Sequence, residues 1–283
     1  MTTLFVNRLT VIDLSYLDPK LGLLGESWQV DIELDGTLDH QGMVVDFGDV
    51  KKQVKRMIDD HFDHKLLVPT GHPGCRIIQQ AQRCEVNFEL ASGIVLKHTG
   101  PATATSLIDA DEISRRTVTN AIINQLQPLL PDNVQKLHLR LYTEPEEGAW
   151  YRYSHGLKHH SGNCQRIAHG HRSRITIYQD GQQDKTLEIA WAKRWRNIYI
   201  ATRTDLLDSF NQQETPFYRF GYTANQGLFE LELPQSNCYL IDTDSTVENL
   251  AQHIAQTLKQ KHPESDFRVL AFEGVDKGAV GIA

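Results

Sequence analysis

Three histidines in the second half of the chain have the residue type and spacing of a metal site. His169 and His171 are separated by a single glycine, and His155 ends a preceding run that reads as a strand. Side chains two positions apart on a strand project from the same face, so the imidazoles of His169 and His171 can share one ion. With His155 as third ligand, one tetrahedral position would stay open, which is typical of catalytic rather than structural zinc.

An HxH pair has a plainer interpretation when it stands alone. The chain has 13 histidines, and such a pair on a surface strand is more often solvated than bound to metal. Cys164 lies between His155 and His169, and a nearby cation favours the reactive thiolate form of a cysteine. The four cysteines form no CxxC pair, so we expect free thiols in a cytoplasmic protein.

Composition argues against several classes of partner. The chain has 283 residues, 40% of them hydrophobic, which is enough for one large core or for two domains of ordinary size. Its formal net charge of -7 argues against nucleic acid, because phosphate binding needs a surplus of Lys and Arg on one face. No signal-peptide pattern and no long apolar run occur, so we expect no membrane partner and a small-molecule substrate.

The elements that must position these residues recur in the same order in both halves. Period-two alternation predicts strands, and apolar residues at helical spacing predict amphipathic helices. The first half is predicted to contain strands at 4–14, 28–34, 84–96 and 137–142, with helices at 50–62 and 111–129. The second half is predicted to contain strands ending at 153 and spanning 174–178 and 267–272, a helix at 246–261 and long loops at 205–229. This order indicates an internal duplication and an α+β fold with antiparallel sheets.

The run YSHGL, followed by NCQRIAHGHRSRITIY, resembles the signature of a known enzyme family. It is similar to the 6-pyruvoyltetrahydropterin synthases and the related 6-carboxytetrahydropterin synthases of queuosine biosynthesis. In these enzymes an aromatic-rich strand ends in a histidine and is followed by a cysteine and by His-Gly-His. The resemblance implies that His155, His169 and His171 bind Zn²⁺. It also implies that Cys164 takes part in proton transfer at the substrate side chain.

Further stretches carry the same resemblance. Glu273 ends the last predicted strand, where the family has a glutamate that grips the pterin, and a carboxylate can accept two parallel N–H bonds from such a ring. Thr246 stands at the family's helix start before that strand and reads as an N-cap. Asp63 and His64 resemble the Asp-His pair that completes a catalytic triad with the cysteine. The resemblance therefore implies substrate binding by Glu273 and Thr246 and catalysis by Asp63, His64 and Cys164.

The first unit, residues 1–146, lacks some of the family's motifs. Residues 12–13 and 25–28 stand where the zinc ligands and the cysteine would fall, so this unit is predicted to bind no zinc. Thr143 stands where the family has its pterin-binding glutamate, with Glu144 shifted to the opposite strand face. The first unit therefore retains only the Asp-His pair.

The second unit, residues 147–283, has the complementary losses. It keeps the histidines, the cysteine and the glutamate, but residues 188–191 and 204–206 stand where the family's Asp-Phe and Asp-His motifs would fall. In the family the active site lies between subunits. The resemblance therefore implies one composite site, formed between the two halves of one chain or between adjacent chains.

The resemblance implies a fold and a reaction. The fold is two tandem tunnelling-fold (T-fold) units, each a four-stranded antiparallel sheet with two helices on one face. Such units close their sheets into a barrel without free edges, so a homo-oligomer is expected, with a trimer favoured over a dimer or tetramer. The reaction is that of a zinc-dependent lyase acting on the side chain of 7,8-dihydroneopterin triphosphate, giving 6-carboxy- or 6-pyruvoyl-tetrahydropterin. Arg166, Arg172 and Arg174 are candidates for contacting the triphosphate.

Two other functions compete with this interpretation. One is a catalytically inactive paralogue that keeps zinc and pterin binding. The other is a metal-dependent hydrolase unrelated to pterins.

Overall fold

A computed structural model describes residues 1–145 and 147–283, and this part of the chain folds into three β-sheets and four α-helices. The strands of the first half are β1 (Thr2–Asp18), β2 (Gly22–Gly36), β3 (Leu66–Pro69), β4 (Cys75–Gln80), β5 (Arg83–Glu89), β6 (Val95–Pro101), β7 (Thr105–Ile108) and β8 (Val134–Tyr142). The strands of the second half are β9 (Trp150–His155), β10 (His169–Gln179), β11 (Gln182–Gln183), β12 (Ile198–Thr202), β13 (Leu206–Gln212), β14 (Thr215–Ala224), β15 (Gly227–Pro234), β16 (Cys238–Ile241), β17 (Phe267–Phe272) and β18 (Gly278–Ile282). The helices are α1 (Phe47–His61), α2 (Arg115–Leu126), α3 (Lys185–Arg194) and α4 (Val247–Lys261).

Most elements predicted from the sequence are confirmed within a few residues. The last predicted strand is β17, and α4 begins after Thr246, whose hydroxyl oxygen accepts the N-cap bond from the Asn249 amide. Helix α1 buries Val50, Val54 and Ile58, the apolar residues whose spacing predicted it. Among the described residues, no helix combines the length and apolar character needed to cross a membrane.

Each half builds its own sheet around a long antiparallel hairpin. The first sheet has the order β7-β3-β1-β2-β8, and the second has the order β16-β12-β9-β10-β17-β18, with β11 paired to β10. Helices α1 and α2 bury their apolar side chains against the first sheet, and α3 and α4 against the second. The sheets differ from the predicted four-stranded antiparallel unit, because short parallel strands extend both hairpins: β3 and β7 lie between α1 and α2 in the chain, and β12 and β16 lie between α3 and α4.

A third sheet joins the two halves. Its order is β13-β14-β15-β6-β5-β4, and β15 pairs with β6 so that Leu231 lies opposite His98. The prediction of long loops at 205–229 is wrong, since β13, β14 and the start of β15 occupy this range. β13 is largely exposed and polar, so it lacks the apolar alternation that marks a strand. Its neighbours bury Phe217, Phe220 and Phe229 in a core that also contains residues of the first half.

The two hairpins meet backbone against backbone at a pair of glycines. A Cβ atom on Gly25 of β2 would lie 2.0 Å from the carbonyl oxygen of Tyr153, and one on Gly170 of β10 would lie 2.7 Å from the Gly25 Cα. The hydroxyl oxygens of Ser15 and Ser154 are 2.7 Å apart at the same place. Only residues without a side chain allow this approach. The crossing brings β1 and β2 against the strands that carry the histidines.

The strand registers relate the two hairpins by approximate twofold symmetry. Ser15 pairs with Gly25 in the first hairpin, and Ser154 pairs with Gly170 in the second. The same registers place Tyr16, Leu24 and Glu26 of the first half at the positions of His155, His169 and His171. This set has no nitrogen ligand, so the first half offers no equivalent of the three-histidine cluster.

The ends of α1 and α3 show which residues of the second half correspond to Asp63 and His64. Asp46 caps α1 and Asp184 caps α3, and each helix is followed by a residue of positive φ just before a short parallel strand, His64 at 52° and Asn197 at 57°. The second-half counterparts of Asp63 and His64 are therefore residues 196–197, and the predicted position at 204–206 is wrong. Helix α3 buries few large apolar residues and shows only a weak helical pattern, which is why the sequence did not reveal it.

We predict that adding one methyl group at the crossing destabilises the whole chain. Gly25→Ala or Gly170→Ala forces backbone atoms apart, and overpacking of this kind costs about 3 kcal/mol or more of unfolding free energy. Gly181→Ala is the control, because its Cβ would meet open space and only its φ of 79° opposes the change. The control should cost about 1–2 kcal/mol in chemical denaturation. Equal losses in the three variants would show that the crossing has no special role.

Candidate functional site

The pairing of β9 with β10 gathers the three histidines on one face. His155 lies directly opposite His169, and His171 lies two residues further along β10. The ring centroids of His155 and His169 are 4.3 Å apart, and His171 is 5.3 Å from the first ring and 5.6 Å from the second. All three side chains are buried, and one nitrogen of each lies within 4.8 Å of the others. The structure thus brings together the ligand set named from the sequence.

The Nδ1 atom of each histidine faces an oxygen acceptor. These acceptors are the Ser245 carbonyl for His155 at 3.0 Å, the Arg166 carbonyl for His169 at 2.9 Å and the Asp13 carboxylate for His171 at 3.2 Å. The first two contacts are hydrogen bonds, whereas the third is a close approach of His171 Nδ1 to the carboxylate that lacks hydrogen-bond geometry. Carbonyl and carboxylate oxygens only accept, so they favour a proton on Nδ1 and a lone pair on Nε2.

The three Nε2 atoms are buried and have no hydrogen-bond partner. A buried polar atom without a partner is costly, so three of them in one place call for a bound group. Burial, together with nearby histidine charges, holds the pKa of His155 and of His169 well below the usual range. Both rings are therefore neutral, as metal ligands must be. This donor set fits one tetrahedral Zn²⁺ with an open fourth position.

The Asp-His pair of the first half reaches the same place in the same chain. His64 and Cys164 form a second close group with His169, and the rings of His64 and His169 stack at 5.3 Å between centroids. The Nδ1 atom of His64 lies 2.6 Å from the Asp63 carboxylate. Asp63 and His64 follow α1, whereas Cys164 lies in a short turn after β9. Residues of the two halves, about a hundred positions apart, therefore lie side by side.

His64 carries a charge suited to proton transfer. Burial alone would lower its pKa, but hydrogen bonds to Asp63 and Cys164 outweigh burial and raise the pKa to about 10. The ring is thus an imidazolium near neutral pH, and a cation beside a thiol favours the thiolate. The backbone of His64 has a φ of 52°, and its N–H donates to the Asp13 carbonyl over 2.6 Å. Strand β1 thereby fixes the position of the ring.

Glu273 and Thr246 lie at the edges of the cluster. Glu273 follows β17, and its Oε1 atom is 3.9 Å from the Nε2 of His171, with the carboxylate partly exposed. Thr246 caps α4 beside Ser245, the residue that holds His155. The hydroxyl oxygen of Thr246 accepts the cap bond, so its own O–H remains able to donate.

The three arginines named as triphosphate contacts have different surroundings. Arg172 is buried with its guanidinium 4.2 Å from the centre of the Trp150 ring. Arg174 forms ion pairs with Glu144 and Asp276. Of the three, only Arg166 adjoins the group of His64 and Cys164, where its guanidinium donates to the His64 carbonyl over 3.2 Å. The contacts of Arg172 and Arg174 with a triphosphate stay predictions from the sequence.

Two residues beside the site, Lys65 and Asp13, were not identified from the sequence. Lys65 follows His64 and is buried, and burial together with the charge of Arg166 lowers its pKa to about 8. Asp13 is a buried aspartate in an otherwise apolar stretch of β1, and this contrast was the one available hint. Burial would raise the pKa of Asp13, but His171 and Lys277 hold it well below its usual range.

Comparison with known proteins finds one family that matches each half of the chain separately. The family model described as 6-pyruvoyl tetrahydropterin synthase matches the chain twice, at residues 22–154 and 146–275. A 6-pyruvoyl tetrahydropterin synthase structure from Plasmodium vivax is 16% identical, covering 50% of this chain and 97% of that chain, with a TM-score of 0.37. The corresponding enzyme from Plasmodium falciparum is 15% identical at the same coverage, with a TM-score of 0.39. No curated protein sequence matches the chain. The double match confirms the predicted tandem duplication.

We predict that Cys164 is the most reactive of the four thiols in the metal-free protein. It faces the His64 imidazolium, whereas burial raises the pKa of Cys75, Cys84 and Cys238. Limited alkylation by iodoacetamide, followed by peptide mass spectrometry, should label Cys164 first. His64→Ala should slow that labelling about tenfold, and the exposed His262→Ala should leave it unchanged. First labelling at another cysteine would contradict the arrangement.

Proposed function

Because the chain belongs to the 6-pyruvoyl tetrahydropterin synthase family, we propose that it is a zinc-dependent pterin synthase. It is a lyase that acts on the side chain of 7,8-dihydroneopterin triphosphate and yields 6-carboxy- or 6-pyruvoyl-tetrahydropterin. The 6-carboxy product, which belongs to queuosine biosynthesis, is the favoured one. The observation that carries the proposal is the meeting of three partnerless Nε2 atoms with the group of Cys164, His64 and Asp63.

The two units divide the work. The unit of residues 147–283 supplies the zinc ligands, Cys164 and Glu273, whereas the unit of residues 1–146 supplies Asp63 and His64. In an enzyme whose active site lies between two copies of the unit, each copy contributes two half-sites. After duplication within one chain, one half-site of each copy is redundant. Each copy could then lose one half-site as long as the crossing of the hairpins preserved the other. The proximity of His64 to Cys164 within one chain supports this division.

Each residue has a proposed role. The Nε2 atoms of the three histidines hold Zn²⁺, which supplies a Lewis acid for the oxygens of the pterin side chain when bound. Cys164 removes a proton from the side chain, and the neighbouring His64 imidazolium stabilises the thiolate and returns protons. Asp63 holds the His64 ring in one orientation and stabilises its charge. Glu273 accepts two N–H bonds from the pterin ring, and the Thr246 hydroxyl donates to a pterin oxygen.

The triphosphate is proposed to contact Lys65 and Arg166. Both are buried beside His64: burial together with the charge of Arg166 lowers the pKa of Lys65 to about 8, and burial lowers the pKa of Arg166 to about 10. A buried cation is costly unless an anion or hydrogen bonds compensate its charge. A phosphate group would neutralise them and place the pterin side chain next to Cys164.

Removal of either cation should weaken binding of the phosphorylated substrate alone. Lys65→Ala and Arg166→Ala should raise the KM for dihydroneopterin triphosphate about tenfold to a hundredfold, the value of one or two charge-assisted hydrogen bonds. Affinity for unphosphorylated dihydroneopterin should change little. Lys259→Ala, which removes a cation near the C-terminal end of α4, is the control. An equal loss of affinity for dihydroneopterin triphosphate and for dihydroneopterin would show that the triphosphate does not contact these two residues.

Metal content and turnover test the proposed function directly. The purified wild type should hold one zinc ion per chain and turn over dihydroneopterin triphosphate. His169→Ala should remove the zinc, whereas Cys164→Ala and His64→Ala should retain zinc and pterin binding but lose about 10²–10⁴-fold in kcat. The exposed His262→Ala is the matched control for loss of an imidazole.

The outcomes separate the competing functions. A wild type without zinc would overturn the proposal. A wild type that binds zinc and pterin without turnover would instead identify an inactive paralogue.

The chain is proposed to assemble as a homotrimer. Each chain contains two units, so three chains supply six units if each half replaces one subunit of the family's hexamer. Light scattering of the purified protein should give about three times the chain mass of 32.2 kDa. A monomer at micromolar concentration would contradict closure by assembly.

A further inference from the structure

We propose that Asp13, a carboxylate from the first half, is the positioning residue that aligns the zinc ligand His171 and the Asp63–His64 pair with one another. This inference rests on the proposed function, since it concerns the same zinc site. Asp13 touches neither substrate nor metal in this account. Its role is to hold the groups that do.

The side chain of Asp13 is held from several directions. It is 3% exposed, its Oδ1 atom lies 3.2 Å from the Nδ1 of His171, and Ser27 donates a hydrogen bond of 2.5 Å to the same oxygen. Lys277 binds the other oxygen over 3.0 Å. A carboxylate beside Nδ1 favours the tautomer with the proton on Nδ1, which leaves Nε2 free to bind metal. Ser27 and Lys277 hold the carboxylate in place.

The backbone of Asp13 holds the other half of the site. Its N–H donates to the Asp63 carboxylate over 2.9 Å, and its carbonyl accepts from the His64 N–H over 2.6 Å. Asp63 in turn contacts the His64 ring through its other oxygen. A single residue therefore sets the positions of a metal ligand and of the Asp-His pair.

The turn that carries Glu273 also packs against Asp13. Gly274 has a φ of 70°, and a Cβ atom at this position would lie 2.4 Å from the Asp13 Oδ1. Lys277, at the other end of the turn, is the residue that binds Asp13, and its carbonyl accepts from the Glu273 N–H over 2.9 Å. The close fit of the turn on the carboxylate links the position of Glu273 to that of Asp13.

The approximate twofold symmetry shows what this position does when no metal ligand faces it. The counterpart of Asp13 is Arg152 on β9, and the counterpart of His171 is Glu26 on β2. Arg152 donates two hydrogen bonds to the buried Glu26, at 2.8 and 3.0 Å. An ordinary ion pair thus satisfies the fold at this place. Packing alone therefore does not require Asp13 opposite His171. The proposed role of His171 as a zinc ligand explains the aspartate.

Asp13→Asn tests the inference, because the change keeps the shape and backbone of the residue but removes its charge. Zinc affinity, measured by competition with a chromophoric chelator, should fall about tenfold to a hundredfold. Glu26→Gln is the matched control, since it disrupts the symmetry-related buried pair and should leave zinc affinity within about twofold of wild type. Wild-type zinc affinity in Asp13→Asn would overturn the inference. Equal losses of zinc affinity in Asp13→Asn and Glu26→Gln would also overturn it.

A second measurement covers the case in which Asp13→Asn fails to fold. ¹⁵N NMR of the metal-free wild type should show the His171 ring protonated on Nδ1, and a proton on Nε2 would overturn the inference. Failure of the proposed function gives a different result, because the wild type itself would then bind no zinc, or would bind zinc without turnover, before any variant is compared.

Discussion

The close approach of two backbones at Gly25 and Gly170 is the constraint on which the rest of the structure depends. Two hairpins from different halves can cross at this distance only where neither strand has a side chain. The crossing puts β1 against the strand that carries His169 and His171. Every contact between the half-sites, from Asp13 to His171 and from His64 to Cys164, lies close to this crossing. The glycines thus determine the site without contributing any chemistry.

Duplication explains why the two sides of the crossing now differ. The registers place Glu26 and Arg152 where the other side has His171 and Asp13, so a buried ion pair occupies in one place what a histidine and an aspartate occupy in the other. Burying two charges is costly unless they are paired, and Arg152 supplies two hydrogen bonds to Glu26. Glu26 and Arg152 satisfy one another's hydrogen bonds. On the other side, the three partnerless Nε2 atoms lie close enough together to hold a metal ion.

The residues of the candidate site could be named from the sequence because they lie in short local motifs. His169, His171 and Cys164 lie within eight positions of one another, and Asp63 and His64 are adjacent. The strands β13 and β14 were not predicted, because β13 is polar and largely exposed and neither strand shows a clear alternation of apolar and polar residues. Asp13 and Lys65 were missed for a different reason. Their surroundings are created by the crossing, and no spacing along the chain records which residues it brings together.

The central claim is that the two halves of one chain complete one site. The most direct test mixes two inactive variants, His64→Ala and His171→Ala, by unfolding and refolding them together so that their chains share oligomers. The account predicts no recovery of activity on dihydroneopterin triphosphate, because no single chain then holds both half-sites. Recovery of a substantial fraction of wild-type activity would contradict it, since it would show that His64 serves the zinc site of a neighbouring chain.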